Sequence, residues 1–179
     1  ILYLEGYLFD KDEAKDAFVH AAELSKAAGR KVAVTLSDQC CVDRHRASFR
    51  HLVKGFADIV FANEAELLSL YETSDFDTAL SALQSDCAVA AVTRSAKGSV
   101  VIGDGAPITV PAEPVASVLD TTGAGDQYAA GFLFGIARSL PLAICARLGH
   151  IAAAEVISHI GPRPATSYRA LADAAGISA

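Results

Sequence analysis

Residues 120–126 read Asp-Thr-Thr-Gly-Ala-Gly-Asp and run directly into the apolar stretch QYAAGFLFGIA. Two carboxylates bracket two threonines and a Gly-Ala-Gly at the point where a buried helix is about to start. Glycines at 123 and 125 permit backbone conformations closed to other residues and let a ligand approach the main chain. A helix beginning here leaves its first amides without internal partners. They point outward with the positive end of the helix dipole and form an anion site. Asp126 falls in the first turn, where its carboxylate faces the positive end of the dipole. This arrangement suits phosphoryl transfer: amides hold a group as charge develops, and the carboxylate accepts the proton of an attacking hydroxyl. On these seven residues alone, a glycine-rich turn with Asp126 as a stabilising charge of about 0.3–1 kcal/mol accounts for the pattern at least as well.

The elements that must position this stretch alternate along the chain. ILYLEGY (1–7) has strand composition, and Asp10 is expected to cap a helix running to about Ala28. KVAVTL (31–36), ADIVFA (57–62) and AVAAVT (88–93) read as buried strands. Helices are expected at about 42–54, over EAELLSLY behind Asn63, at 76–84, 124–138 and 141–160, with a short one at 167–175. Asp104-Gly105, between two apolar runs, signals a two-residue hairpin. Alternating strands and helices predict an α/β fold, with a mostly parallel sheet covered on both faces and an antiparallel edge hairpin.

Composition bounds the function classes. The 179 residues suit a single domain, and such a chain buries about 70% of its unfolded surface. With 52% hydrophobic and 20% charged residues, disorder is not expected. A net charge of −6 argues against nucleic acid or an anionic membrane as the main partner. No apolar run is long enough to span a membrane. Cys40, Cys41, Cys87 and Cys145 form no C-x-x-C pair and read as reduced thiols of a cytoplasmic protein. The histidines His20, His45, His51 and His159 show no zinc spacing. There is neither a G-x-x-x-x-G-K-[ST] phosphate loop nor a G-x-S-x-G elbow. The chain contains no methionine and opens within strand-like sequence, so residues upstream are expected to be missing.

The stretch DTTGAGD resembles the C-terminal signature of the ribokinase-like (PfkB) family of sugar and nucleoside kinases, and the resemblance extends over essentially the whole chain. YLEGYLF, LSDQCCVDRHR and HIGPRP look most like the adenosine-kinase-like branch. The resemblance implies a three-layer α/β/α fold of which the N-terminal part is missing. Residues 1–179 would then be one domain, the C-terminal portion of a kinase core that carries the nucleotide side and the base. It implies that Asp126 activates the substrate hydroxyl and that the amides of Gly123, Ala124 and Gly125 stabilise the transferring phosphoryl group. Thr121 and Thr122 would line the same pocket.

Further residues follow the family pattern. Asn63-Glu64-Ala65-Glu66 matches N-x-x-E, in which Asn63 and Glu66 organise magnesium and phosphate largely through water. An N-cap Asn with an N3 Glu is the competing reading of the same four residues. Thr93-Arg94-Ser95-Ala96-Lys97-Gly98 stands where the family has T-x-G-x-x-G, with Ser95 in place of the first glycine. Arg94 or Lys97 could meet phosphates. His150 aligns with a position near adenine, although a lone histidine on an Ala-rich helix is more often a satisfied core residue. Gly161, Asp120 and Thr122 correspond to a monovalent-cation site, with a helix-terminal glycine before proline as the alternative for Gly161. Arg46, Arg50 and Lys54 recur every four residues and read as a solvated helix face.

The expected activity is ATP- and Mg2+-dependent transfer of the γ-phosphoryl group to a primary hydroxyl of an adenosine-like nucleoside or a sugar, with K+ as a further ion. The alternatives are a ribokinase- or fructokinase-type sugar kinase, or a catalytically incompetent nucleotide-binding fragment or homologue. The substrate side is expected to lie in the missing half, so these residues alone should be a weak or inactive kinase. An unpaired sheet edge near 1–7 or 31–36 would then invite a homodimer.

Overall fold

The computed structural model describes residues 1–177. Their six strands and seven α-helices fall into two compact units, Ile1–Arg94 with Ile102–Pro107, and Ser95–Val101 with the chain from Ile108 onward.

In the first unit the order is β1 (Leu2–Glu5), α1 (Asp12–Ala27), β2 (Val32–Thr35), α2 (Gln39–Gly55), β3 (Ile59–Asn63), α3 (Glu64–Tyr71), α4 (Phe76–Asp86) and β4 (Val89–Thr93). The four strands pair in chain order and in parallel, through Leu4↔Val34, Val34↔Val60 and Val60↔Ala90. Their apolar residues run continuously rather than alternating, because the middle of each of β2–β4 is buried on both faces. β1 pairs only with β2 among the described strands and is the edge expected near residues 1–7, whereas 31–36 is interior. Phe9 packs on Phe18 and Phe49, with ring centroids 5.0 and 4.6 Å away.

Two boundaries at the start of helices in this unit differ from expectation. Asp10 does not cap α1; it ends a 3-10 turn over Gly6–Asp10, and its carboxylate receives Arg44 and lies 2.8 Å from His45 Nε2. α2 starts three residues early because Asp38 caps it, accepting the Cys41 N–H at 2.7 Å.

The second unit contains β5 (Ser99–Ile102), β6 (Ile108–Val110), α5 (Ala124–Ala137), α6 (Leu142–Ile157) and α7 (Tyr168–Ala174). The antiparallel register Ser99↔Val110, Val100↔Thr109, Val101↔Ile108 centres on Asp104-Gly105, as expected. The loop is longer than two residues, since pairing stops at Ile108 and the preceding Pro107 has no N–H to donate. α5 and α6 approach closely: a Cβ on Gly131 would lie 2.5 Å from the Leu148 carbonyl oxygen. α6 ends near Ile157 rather than 160, where the Ser158 hydroxyl donates to the Glu155 carbonyl at 2.6 Å. Leu148, Ile151, Ala172 and Ile177 form a small core joining α6 to α7.

Candidate active site

The quoted signature opens α5. Gly123 is the N-cap, with φ 78°, and the helix proper begins at Ala124, so Asp126 stands in its first turn. Asp126 is exposed. The left-handed conformation at Gly123 turns the chain from the Asp120–Thr122 segment into the helix, and Pro162 leaves no room beside it: an added Cβ would meet Pro162 Cβ at 2.7 Å. First-turn amides have no partners inside a helix. That of Ala124 is already engaged, donating to the Thr121 carbonyl at 3.1 Å, which leaves Gly123 and Gly125 as the freer donors of the expected anion hole.

Asp120 is held from two sides. One oxygen accepts the Thr122 N–H at 2.9 Å and the other the Gly161 N–H at 2.9 Å. The Thr122 hydroxyl and N–H, then the Gly161 N–H, bring the carboxyl down to about 2. The structure thus gathers the three residues matched to a cation site, and it does so through hydrogen bonds among themselves.

The Gly161–Thr166 segment backs the signature loop. Gln127 Nε2 donates to the Pro162 carbonyl at 3.1 Å, and the Tyr168 hydroxyl donates to Gln127 Oε1 at 2.8 Å. Glu155, buried on α6, accepts the N–H groups of Ala165 and Thr166, both at 2.8 Å. Sequence reasoning missed Gln127, Tyr168 and Glu155. The readable signal was a lone carboxylate inside HIAAAEVI, because a charge in an apolar helix is seldom buried without partners.

In the first unit, Asn63 ends β3 and caps α3. Its side chain accepts the Glu66 N–H at 2.9 Å. Glu66 returns the bond, accepting from Asn63 N at 2.9 Å and from Asn63 Nδ2 at 2.6 Å. The capping-box reading therefore describes the local geometry. Glu66 is buried, and desolvation pushes its pKa from the ordinary 4.5 up to about 7; the Asn63 N–H opposes this, and the carboxylates of Asp38 and Glu5 add to it. Asp38 and Glu5 sit just past or at the carboxyl ends of β2 and β1, the end of a parallel sheet at which ligands bind.

The sign of the Glu66 shift gives a stability prediction. A folded pKa above the unfolded one means that the native state holds the proton more tightly. Its contribution is complete below about 4.5 and is lost as pH rises through about 7. We expect that loss to be on the order of 3 kcal/mol between these limits. Thermal melts of wild type and Glu66→Gln at pH 5 and pH 8 check it: the wild-type midpoint should fall relative to the variant. Parallel pH dependences would contradict the assignment.

Thr93 closes β4, with its hydroxyl 3.5 Å from the Ala62 carbonyl oxygen. Arg94 is pinned by Glu64, Nη2 to Oε1 at 2.6 Å, and its guanidinium lies 3.8 Å over the Phe76 ring. Glu64, the second residue of the N-x-x-E match, thus acquires a role that the pattern did not give it. Ser95 has φ 53°, so the backbone keeps a left-handed residue where the family pattern has glycine. A non-glycine residue there costs about 1 kcal/mol or more. Ser95→Gly should therefore raise stability by about 1 kcal/mol in denaturant titration, while Ser95→Val should lower it. A Gly variant no more stable than wild type would count against strain at this residue.

His150 is buried. Its Nε2 is 2.9 Å from Ser99 Oγ, which also receives the Tyr128 hydroxyl at 2.9 Å, and burial lowers its pKa. The ring is held by internal partners. The periodic cations of α2 are likewise less free than expected. Arg46 Nε donates to the Ser69 carbonyl at 2.8 Å, and Lys54 pairs with Asp86 at 3.3 Å. Lys54 keeps the solvated position expected of it, while the acceptors from α3 and α4 are ones that α2's own periodicity cannot show. Among the described residues no group of three or more His, Cys, Asp or Glu is disposed to hold a metal, and no helix is long and apolar enough to cross a membrane.

Comparison with known proteins bears on the family and the fold. The chain is 34% identical over 143 residues to a cytidine kinase of Thermococcus kodakarensis, covering 77% of this chain and 51% of that one. The crystal structure of adenosine kinase from Sinorhizobium meliloti superposes with a TM-score of 0.93 at 51% identity, covering 97% of this chain and 53% of that one. A probable sugar kinase from Rhizobium etli gives a TM-score of 0.95 at 46% identity, covering 98% and 54%. The fold is thus ribokinase-like α/β, and the chain spans about half the length of these relatives. The pfkB family carbohydrate kinase model matches residues 1–168, and the chain belongs to that family.

Proposed function

We propose that these residues are the nucleotide and general-base portion, as one domain, of a kinase that transfers the γ-phosphoryl group of ATP to a primary hydroxyl of a nucleoside. The observation that carries the reading is Asp126: an exposed carboxylate in the first turn of a helix whose N-cap is a left-handed glycine. Asp126 takes the proton of the acceptor hydroxyl. The amides of Gly123 and Gly125, with Ala124 once its bond to Thr121 yields, meet charge on the transferring group. Thr121 and Thr122 line the same pocket. Thr93, Arg94, Ser95 and Gly98 contact the nucleotide, and His150, fixed by Ser99, serves as packing behind it rather than as a donor.

Magnesium fits this donor set only in a water-mediated role. Both Glu66 oxygens already accept from Asn63, and Mg2+ keeps several waters. Asn63 and Glu66 would hold its hydration shell, and the ion when bound offsets charge on the phosphates. Asp120, Thr122 and Gly161 are the candidates for a K+ requirement. Four free thiols accord with a cytoplasmic setting.

A nucleoside is preferred over a sugar because the adenosine kinase and cytidine kinase relatives act on nucleosides by name. ADP release by the intact protein with Mg-ATP and adenosine, cytidine, ribose or fructose tests this. Turnover with a nucleoside is expected. Turnover with fructose or ribose alone would replace the nucleoside by a sugar.

A further inference from the structure

The catalytic reading leaves a buried carboxylate unexplained. Glu155 lies on α6, 8% exposed, and its Oε1 takes two successive main-chain donors, the N–H groups of Ala165 and Thr166, each at 2.8 Å. His159 Nε2 stands 3.3 Å from the same oxygen, while Oε2 is buried without a hydrogen-bond partner. Burying a carboxylate with one oxygen bare is costly, so the two amide bonds must hold something that the protein needs held.

What they hold is the far end of the Gly161–Thr166 segment. Its near end is fixed by Asp120 on the Gly161 N–H at 2.9 Å. Between the two anchors Pro162 stands against Gly123, and its carbonyl receives the Gln127 side chain one residue beyond Asp126. Released from Glu155, the segment would keep Asp120 on Gly161 and Gln127 on the Pro162 carbonyl but lose its hold beyond Pro162. The wall that sets Gly123 and the first turn of α5 would then loosen.

We propose that Glu155 is a positioning residue for phosphoryl transfer: a carboxylate clasp on the Ala165 and Thr166 amides that presses Pro162 against Gly123 and so sets the anion hole and Asp126. The proposal rests on the kinase reading above. It assigns Glu155 to turnover rather than to nucleotide affinity, since its bonds run to the wall of the signature loop.

The test uses the intact protein and the variants Glu155→Ala and Glu155→Gln. The Gln carbonyl can accept both amides, so it separates the clasp from the charge. Glu155→Ala should lower kcat about 30-fold, with KM for ATP changed less than threefold, and Glu155→Gln should recover kcat to within about threefold of wild type. Activities are normalised to folded protein, so that a loss of folding is not read as a loss of turnover. If the Ala variant does not fold, Glu155→Asp, one methylene short, should show the same fall in kcat. Wild-type kcat in a folded Ala or Asp variant overturns the proposal, as does a Gln variant as slow as Ala.

Amide hydrogen exchange on the same samples distinguishes failure of the clasp from failure of the kinase reading. If wild type phosphorylates no acceptor, the kinase reading falls. Faster exchange at Gly161 and Gly123 in Glu155→Ala would then still support the clasp, and unchanged exchange would overturn it.

Discussion

Asp126→Asn is expected to lower kcat by about 10^3-fold and leave the Kd for ATP within about threefold of wild type. The substitution keeps shape and removes the base. Asp126 is exposed in the first turn of α5, so the folded state loses only a dipole interaction of about 0.3–1 kcal/mol. A 10^3-fold fall in kcat corresponds to about 4 kcal/mol at the barrier, well beyond that structural term. Steady-state kinetics with calorimetric ATP binding check it. An Asn variant turning over at more than a tenth of the wild-type rate would remove Asp126 as the base.

Gly98→Ala is expected to destabilise the fold by about 3–4 kcal/mol, among the larger effects of any single methyl group. Gly98 has φ 87°, which an L side chain rarely adopts. Its added Cβ would come 2.1 Å from the Val110 carbonyl oxygen and 2.8 Å from Ala112 N. These neighbours are backbone and cannot rotate away, so the hairpin itself must shift. Denaturant titration should show a large fall in midpoint, before any effect on nucleotide is considered. A variant as stable as wild type would show that the loop path differs. The contrast with Ser95 is informative. Both positions are left-handed, but Ser95 is exposed and tolerates a side chain, whereas Gly98 is closed by the strand beside it.

The order of strands and helices was legible because buried parallel strands and amphipathic helices carry strong periodicities, and the Asn63–Glu66 capping box was readable from its spacing alone. The start of α2 was missed because Asp38 lies outside the apolar period, so only its cap geometry reveals it. The roles of Glu155, Gln127 and Tyr168 were out of reach for a different reason, even though Glu155 stands out as a lone carboxylate in an apolar helix. Their partners lie 10 to 41 positions away, at Ala165, Pro162 and Gln127. His150 shows the converse: the sequence offered a core residue or a nucleotide neighbour, and the geometry puts its imidazole nitrogen on Ser99.

The most direct test of the account is the fate of the γ-phosphoryl group. The intact protein is incubated with γ-labelled ATP, Mg2+ and adenosine or cytidine, and the products are resolved by mass spectrometry, with Asp126→Asn in parallel. Label is expected on the primary hydroxyl of one nucleoside, in step with ADP formation, with almost none in the variant. Label appearing only as inorganic phosphate, or equally in both proteins, would contradict it.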